Sequence, residues 1–192
     1  AIYGLSKMGS QAPTSKVDQA ILLDGARFVR EIGETKVTVV TFSDMQCPSC
    51  KAAHELNKDV FSLPGVKSVM RQFPLPANIH KYALVSAKAV EAARVMGKGW
   101  EMMDLLFSKQ EEWSVASKPE EKFGEYAKSL GLDDKKYLEN LNSKEVAGFV
   151  AVDSSLASRL QLAGTPTIFV NGEQVGAPFL KDKVNEILGV KK

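Results

Sequence analysis

Hydrophobic positions along the chain follow two periods, and the change between them divides the sequence into parts. Val37-Thr38-Val39-Val40-Thr41-Phe42 is an unbroken β-branched and aromatic run between Glu34-Thr35-Lys36 and Ser43-Asp44, which predicts a strand buried on both faces. A second strand is predicted over residues 66–73, ended by Pro74 and Pro76, because proline cannot continue a central ladder. Thr167-Ile168-Phe169-Val170, then Asn171-Gly172, then residues 173–176 predict a hairpin. Its type I′ turn needs two residues that tolerate positive φ, and Asn-Gly supplies them. Residues 27–32 read as a first strand and 17–23 as a short helix.

The other period is helical. Cys50, Ala53, Leu56, Asn57, Val60 and Phe61 keep helical spacing, with Pro48 in the first turn, where proline is tolerated. From about residue 80 to 162 the helical pattern is continuous, with start and stop signals predicting helices over 82–96, 100–109, 119–130, 134–141 and 144–162. In the last of these Phe149, Val152, Leu156 and Leu160 form a stripe expected to face a partner. Residues 180–188 close the chain as a helix, so the order is β, β, α, β, helical block, β, β, α.

Composition excludes several classes. The 192 residues are 44% hydrophobic and 25% charged with mean hydropathy −0.13, ordinary values for a globular chain with a real core and not for a disordered or membrane-embedded one. The formal net charge is +2, and the adjacent-lysine pairs Lys135-Lys136 and Lys191-Lys192 are too short to be nucleic-acid patches, so no nucleic-acid partner is expected. Residues 1–16 are small, polar and unpatterned and suggest a flexible leader. With no basic-then-apolar signal peptide and no initiator methionine, the expectation is a cytosolic chain or, preferably, a trimmed mature form.

The cysteine count changes the picture most: there are two, Cys47 and Cys50, separated by Pro48 and Ser49. As a structural staple the pair would do little. A ring of four residues contributes roughly 2 kcal/mol of chain entropy against about 4.7 for a hundred-residue loop, before ring strain. Zinc is disfavoured because His54 and His80 do not have the paired spacing of finger-type sites. A redox dithiol requires a helix N-terminus after a buried strand, and that setting is present. Unpaired N–H groups and the helix dipole there stabilise an anion, so the first cysteine is expected to be a reactive thiolate, and the second can resolve a mixed disulfide from within the same turn.

These residues carry a resemblance to a known family. Phe42-Ser43-Asp44-Met45-Gln46-Cys47-Pro48-Ser49-Cys50, Phe73-Pro74-Leu75, Trp100-Glu101-Met102-Met103-Asp104-Leu105-Leu106-Phe107 and Gly164-Thr165-Pro166-Thr167-Ile168-Phe169-Val170-Asn171-Gly172 occur in order over about residues 37–189. Together they resemble the DsbA-like thiol-disulfide oxidoreductases. The resemblance implies an α/β thioredoxin fold with an inserted all-helical subdomain. The division it suggests is 1–25 as a flexible leader or oligomerisation segment, 26–79 and 163–192 as the two thioredoxin-like parts, and 80–162 as the insert. It implies Cys47 as nucleophile, Cys50 as buried resolving thiol, and Pro166 as a cis-proline beside them that turns the Thr165 backbone outward to pair with an extended substrate strand. Met45 is expected on an exposed apolar rim that meets substrate, with Thr165 and Pro166. Pro48, Ser49 and Thr41 are expected to modulate the site, with no metal and no dissociable cofactor. Implied partners are cysteine-containing substrate proteins and a membrane redox partner, either a quinone-linked oxidase or an electron-supplying reductase. The location implied is bacterial, periplasmic or otherwise extracytoplasmic. The alternatives are a disulfide isomerase or reductase, favoured by threonine before Pro166, and a redox-regulated chaperone or peptide-binding module; the protein could be monomeric or homo-oligomeric.

Two departures from the family are informative. Many relatives carry a buried glutamate where this chain has Thr41, so proton transfer to the second thiol is expected to fall to water or another group, with Glu31 and Glu34 as candidates. Ser49 stands where the most oxidising DsbA enzymes have histidine. A serine brings no positive charge to the thiolate, so a less oxidising disulfide is expected. His54 is expected to face solvent or core, His80 to cap the following helix, and Met96, Met102 and Met103 to fill core.

Overall fold

The computed structural model describes residues 16–190. Its elements in chain order are α1 (Gln19–Leu23), β1 (Phe28–Glu31), β2 (Val37–Ser43), α2 (Pro48–Asn57), β3 (Val66–Gln72), α3 (Ala83–Arg94), α4 (Gly99–Ser108), α5 (Gln110–Trp113), α6 (Pro119–Ser129), α7 (Asp134–Leu141), α8 (Lys144–Arg159), β4 (Thr167–Val170), β5 (Glu173–Val175) and α9 (Leu180–Leu188). Short 3₁₀ turns at Val60–Ser62 and Ala177–Phe179 precede β3 and α9.

The five strands form one sheet in the order β1-β3-β2-β4-β5. β2 is parallel to β3 and antiparallel to β4, and β1 and β5 are antiparallel edges. A centre strand covered on both sides can be apolar throughout, and all seven residues of β2 are buried. Alternation then assigns the faces: Val37 and Val39 pack with Ile168, Val170, Leu180 and Val184 under α9, while Val40 and Phe42 pack with Phe169, Leu22 and Leu156 on the other side. In the hairpin between β4 and β5, Asn171 and Gly172 have φ of 48° and 86°, the positive pair a type I′ turn needs. Gly172 is further required by crowding, since a Cβ there would lie 2.3 Å from the Val17 carbonyl oxygen.

Of the segment 1–25, residues 1–15 lie outside the described residues. The remainder is tied to the sheet: Lys16 bridges to Glu173, the Val17 N–H donates to the Gly172 carbonyl, and Leu22 is fully buried.

Helices α3 to α8 lie between β3 and β4 in the chain and build the largest apolar cluster, around Met102, Met103, Leu106, Phe107, Trp113 and Phe123. A polar seam joins this block to the sheet. Arg71 of β3 is fully buried and donates to Asp153 Oδ1 of α8 at 2.8 Å and to the carbonyls of Leu22 and Asp24, while the Gln72 N–H donates to Asp153 Oδ2. Removing one partner from such a buried pair costs about 3–5 kcal/mol, because the other charge is left uncompensated. The seam also corrects the face expected for α8. Val146, Val150, Asp153, Leu156 and Ala157 are its buried residues, whereas Val152 is exposed and Phe149 lies partly exposed under the guanidinium groups of Arg27 and Arg94. The stripe is rotated because Asp153, a charged residue, occupies the centre of the inward face. The helical block also contains α5, a single turn beyond the 100–109 helix, in a segment to which the helical pattern assigned no element.

Candidate active site

The two cysteines sit where β2 runs into α2. Cys47 is the N-cap of α2, with extended φ and ψ and no side-chain cap bond, and Pro48 occupies the first turn. The Cys50 and Lys51 N–H groups donate to the Cys47 carbonyl and start the helix. Gln110 of α5 holds the approach from above, donating through Nε2 to the Met45 and Cys47 carbonyls at 2.8 and 3.1 Å. Both cysteines are free thiols.

The two sulfurs meet different surroundings. Cys50 is 1% exposed and burial pushes its thiol far above the ordinary 9.0, while the Asp44 N–H approaches its Sγ at 3.5 Å. Cys47 is pushed down to about 5, chiefly by the Cys50 thiol donating to it, with smaller help from the Thr165 side chain and from the Cys50 and Ser49 backbone N–H groups, against the opposing effect of burial. The helix N-terminus therefore lowers the first thiol through specific donors. Ser49, itself exposed, contributes its backbone N–H rather than a charge.

Opposite the pair, the Thr165–Pro166 peptide bond is cis, and the Cys47 Sγ donates to the Thr165 carbonyl at 3.5 Å. The Thr165 hydroxyl has no partner with hydrogen-bond geometry, yet it lies near enough to both sulfurs to favour their ionised forms. Thr165 and Pro166 are both partly exposed beside Cys47, which is 6% exposed because this loop covers it. Thr41 lies on the other side, behind Cys50, with its hydroxyl buried and unpaired.

Several expected positions are corrected. Met45 is not on a rim: it is fully buried in the apolar cluster of the helical block, because its carbonyl accepts from Gln110 of α5, which ties this loop to that block. Glu31 and Glu34 cannot serve Cys50. Glu31 faces Lys67 in the β1–β3 register, Lys67 faces Thr38 in the next pair, and the five residues from there to Ser43 span roughly 17 Å of strand. Glu34 sits at that same far end, its carbonyl beside Gly65. His80 does not cap α3 through its ring; its Nδ1 pairs with Asp44 Oδ2 at 2.8 Å.

The contacts of Asp44, Gln110 and the His54–Asp104 pair are not legible in the sequence, although Asp44 and Asp104 fall within the motifs that carry the resemblance. Asp44 is 1% exposed and accepts from the Gln46 and Leu75 N–H groups as well as meeting His80, so one buried carboxylate fixes three segments around the cysteines. His54, on α2 four residues after Cys50, is buried with its Nε2 2.6 Å from Asp104 Oδ1 of α4. Among the described residues there is no cluster of three or more His, Cys, Asp or Glu that could hold a metal, and no helix is long and apolar enough to cross a membrane.

Residues 31–189 match a family model described as thioredoxin. A curated relative, the Na⁺/H⁺ antiporter NhaA 3 of Salinispora tropica, is 36% identical over 165 residues, which are 85% of this chain and 24% of the antiporter. The chain thus spans about a quarter of the length of the curated relatives it matches. Among solved structures, a thioredoxin-like oxidoreductase from Silicibacter pomeroyi DSS-3 is 26% identical with a TM-score of 0.71, covering 91% of this chain and all (100%) of that one. Oxidised BdbD from Bacillus subtilis is 26% identical with a TM-score of 0.72, covering 87% and 95%. The sheet with its inserted helical block has the architecture of these DsbA-like neighbours.

Proposed function

The chain belongs to the thioredoxin family, and on that premise we propose that it is a thiol-disulfide oxidoreductase that forms or exchanges disulfide bonds in extracytoplasmic proteins, with Cys47 as nucleophile and Cys50 as resolving thiol. One observation carries the reading: two cysteines in a single helical turn are driven in opposite directions, one towards thiolate and the other towards thiol. That asymmetry is what stepwise exchange requires.

In the oxidising direction a substrate thiolate attacks Cys47 Sγ of the Cys47–Cys50 disulfide. The internal S–S bond breaks, and Cys50 leaves as a thiolate and takes up a proton. A second substrate thiolate then attacks the substrate sulfur of the mixed disulfide. The substrate disulfide forms, Cys47 leaves as the stabilised thiolate, and two electrons have passed from substrate to enzyme. The low Cys47 value favours this last departure, since a more acidic thiol leaves faster. In the reducing direction each step reverses.

Thr165 and Pro166 are the proposed substrate-binding residues, because they flank the one sulfur that substrate must reach. Pro48, Ser49 and Thr41 are proposed to tune the pair. The sulfurs carry the electrons, so the cycle needs no dissociable cofactor. Renewal of the starting state falls to a membrane redox partner, an oxidase or a reductase according to direction, in a periplasmic or other extracytoplasmic space. Ion exchange is not carried over from the antiporter relative, because the match covers 24% of it and includes the cysteine site.

The test is paired: one preparation is asked to oxidise a reduced cysteine-containing protein and to refold a scrambled one. Oxidation of the first is expected, and its rate should vanish in Cys47→Ser. A Cys47→Ser protein that kept full activity in a peptide-binding or refolding assay would instead establish the chaperone alternative.

A further inference from the structure

Behind Cys50 lies a small, largely enclosed cavity of about 10 Å³, room for about one water molecule. Its walls include Cys50, Thr41, His54, Phe61 and Phe107. Two of these residues carry buried polar atoms with no hydrogen-bond partner: the Thr41 hydroxyl and His54 Nδ1. Such atoms are costly to bury unpaired, and both belong to residues that are more than nine-tenths buried and line the same space. The other His54 nitrogen, Nε2, lies 2.6 Å from Asp104 Oδ1, and the Asp104 side chain is 62% exposed. A polar route therefore leads from the Cys50 sulfur, through the cavity and the imidazole, to solvent.

We propose that His54, acting through one water molecule held in this cavity by Thr41, is the proton relay for Cys50 during disulfide exchange. The inference rests on the oxidoreductase reading and deepens it. When Cys50 attacks Cys47 Sγ in a mixed disulfide, its proton passes through the water to His54 Nδ1, the Cys47–substrate bond breaks, and the substrate departs as a thiolate. His54 then returns the proton to solvent on the Asp104 side. When a substrate thiolate instead opens the Cys47–Cys50 bond, the leaving Cys50 thiolate takes the proton by the same route in reverse. Burial makes a local relay necessary, because it holds Cys50 as a thiol at neutral pH, where hydroxide is scarce.

The surroundings of His54 suit the role. Phe61 and Phe107 flank the ring, with centroids at 5.9 and 4.9 Å. Of the residues that line the cavity or hydrogen-bond to His54, the ionisable ones are Cys50 on its own helix and Asp104 on α4, and the walls from β3 and β4, Met70 and Ile168, bring none; along α2, Lys51 and Lys58 stand three residues before and four after His54. In place of a buried carboxylate at position 41, the chain thus offers a hydroxyl to position water and an imidazole to hold the proton.

The reduced protein, mixed with 5,5′-dithiobis(2-nitrobenzoate), releases a first aromatic thiolate when Cys47 attacks and a second when Cys50 closes the disulfide. His54→Gln is expected to slow the second release by about tenfold or more near neutral pH, with the first nearly unchanged. The gap should close in alkaline solution, where hydroxide takes the proton directly. Thr41→Val, which keeps shape and removes the hydroxyl, should slow the same step by a smaller factor. Asp104→Asn, on the surface, should move the pH midpoint of that step and decides the matter if His54→Gln does not fold. An unchanged second release with an unchanged pH profile in Thr41→Val and Asp104→Asn overturns the proposal. So does a His54→Gln protein that loses thermal stability and slows both releases alike. A wild-type protein that releases no first equivalent would defeat the oxidoreductase reading itself.

Discussion

The mouth of the site and the pocket behind it lie within one turn of the same helix, yet they treat the same functional group in opposite ways. At the mouth, Cys47 receives donors: the Cys50 thiol, the Thr165 side chain and the backbone N–H groups of Cys50 and Ser49 hold it near about 5. In the pocket, Cys50 is surrounded by Phe61, Phe107, Met70 and Ile168, and burial raises it. Position relative to the helix start and access to donors decide the ionisation, not residue type. The two are also linked, since the strongest influence on Cys47 is the proton that Cys50 retains. Holding one thiol protonated raises the thiolate fraction of its neighbour at neutral pH and makes that neighbour a better leaving group.

The largest effect is expected from removing one of the two thiols. Cys47→Ser should abolish exchange with a disulfide substrate, a loss of at least about a thousandfold, whereas Cys50→Ser should still attack and should accumulate the mixed disulfide, visible by mass under non-reducing conditions. Equal loss in both without a trapped adduct would contradict the assignment of roles.

A smaller effect concerns charge at the mouth. Ser49→His places a cation beside Cys47 and should stabilise the reduced form, raising the potential by on the order of 30 mV, about 1.4 kcal/mol. The unaltered protein should equilibrate with glutathione at a potential below the strong-oxidant extreme of about −120 mV. The smallest change is expected from Thr165→Val, which removes a hydroxyl that favours both ionised sulfurs. Its Cys47 titration should move upward, less than in Cys50→Ser, where the leading donor is altered.

The contrast also sets how the fold responds to pH. The folded Cys47 thiol is more acidic than the ordinary value of 9.0, so the stability it adds to the reduced protein is present in full above that value and is lost as pH falls through about 5. Cys50 runs the other way, its contribution being present below 9.0 and lost as pH rises. Reduced protein should therefore lose stability relative to oxidised protein on acidification, a difference that paired denaturation curves measure.

Most of the scaffold was legible in the residues because the signals were local. The β-branched run 37–42, the Asn171-Gly172 turn and the boundaries of α6, α7 and α9 follow from neighbouring residues alone. The positions that were misread depend on contacts far along the chain. Met45 looks like a rim residue until Gln110, 65 residues on, is seen to hold its carbonyl. Val152 fits an apolar stripe until Arg71, 82 residues back, draws Asp153 inward instead. His54 and Asp104, 50 residues apart, become a pair only when α2 and α4 pack. The cysteine motif at a helix start pointed to a thiolate at Cys47, and the resemblance to a buried thiol at Cys50; the particular donors, the Cys50 thiol foremost, and the extent of burial are what spacing does not encode.

At neutral pH Cys47 is expected to be ionised while its neighbour Cys50 is not. Alkylation of the reduced protein with iodoacetamide across a pH series, resolved by residue with mass spectrometry, tests it directly. Cys47 modification should rise with a midpoint of about 5 while Cys50 stays unmodified through the ordinary thiol value of 9.0. A Cys47 midpoint near 9.0, or both cysteines titrating together, would contradict it.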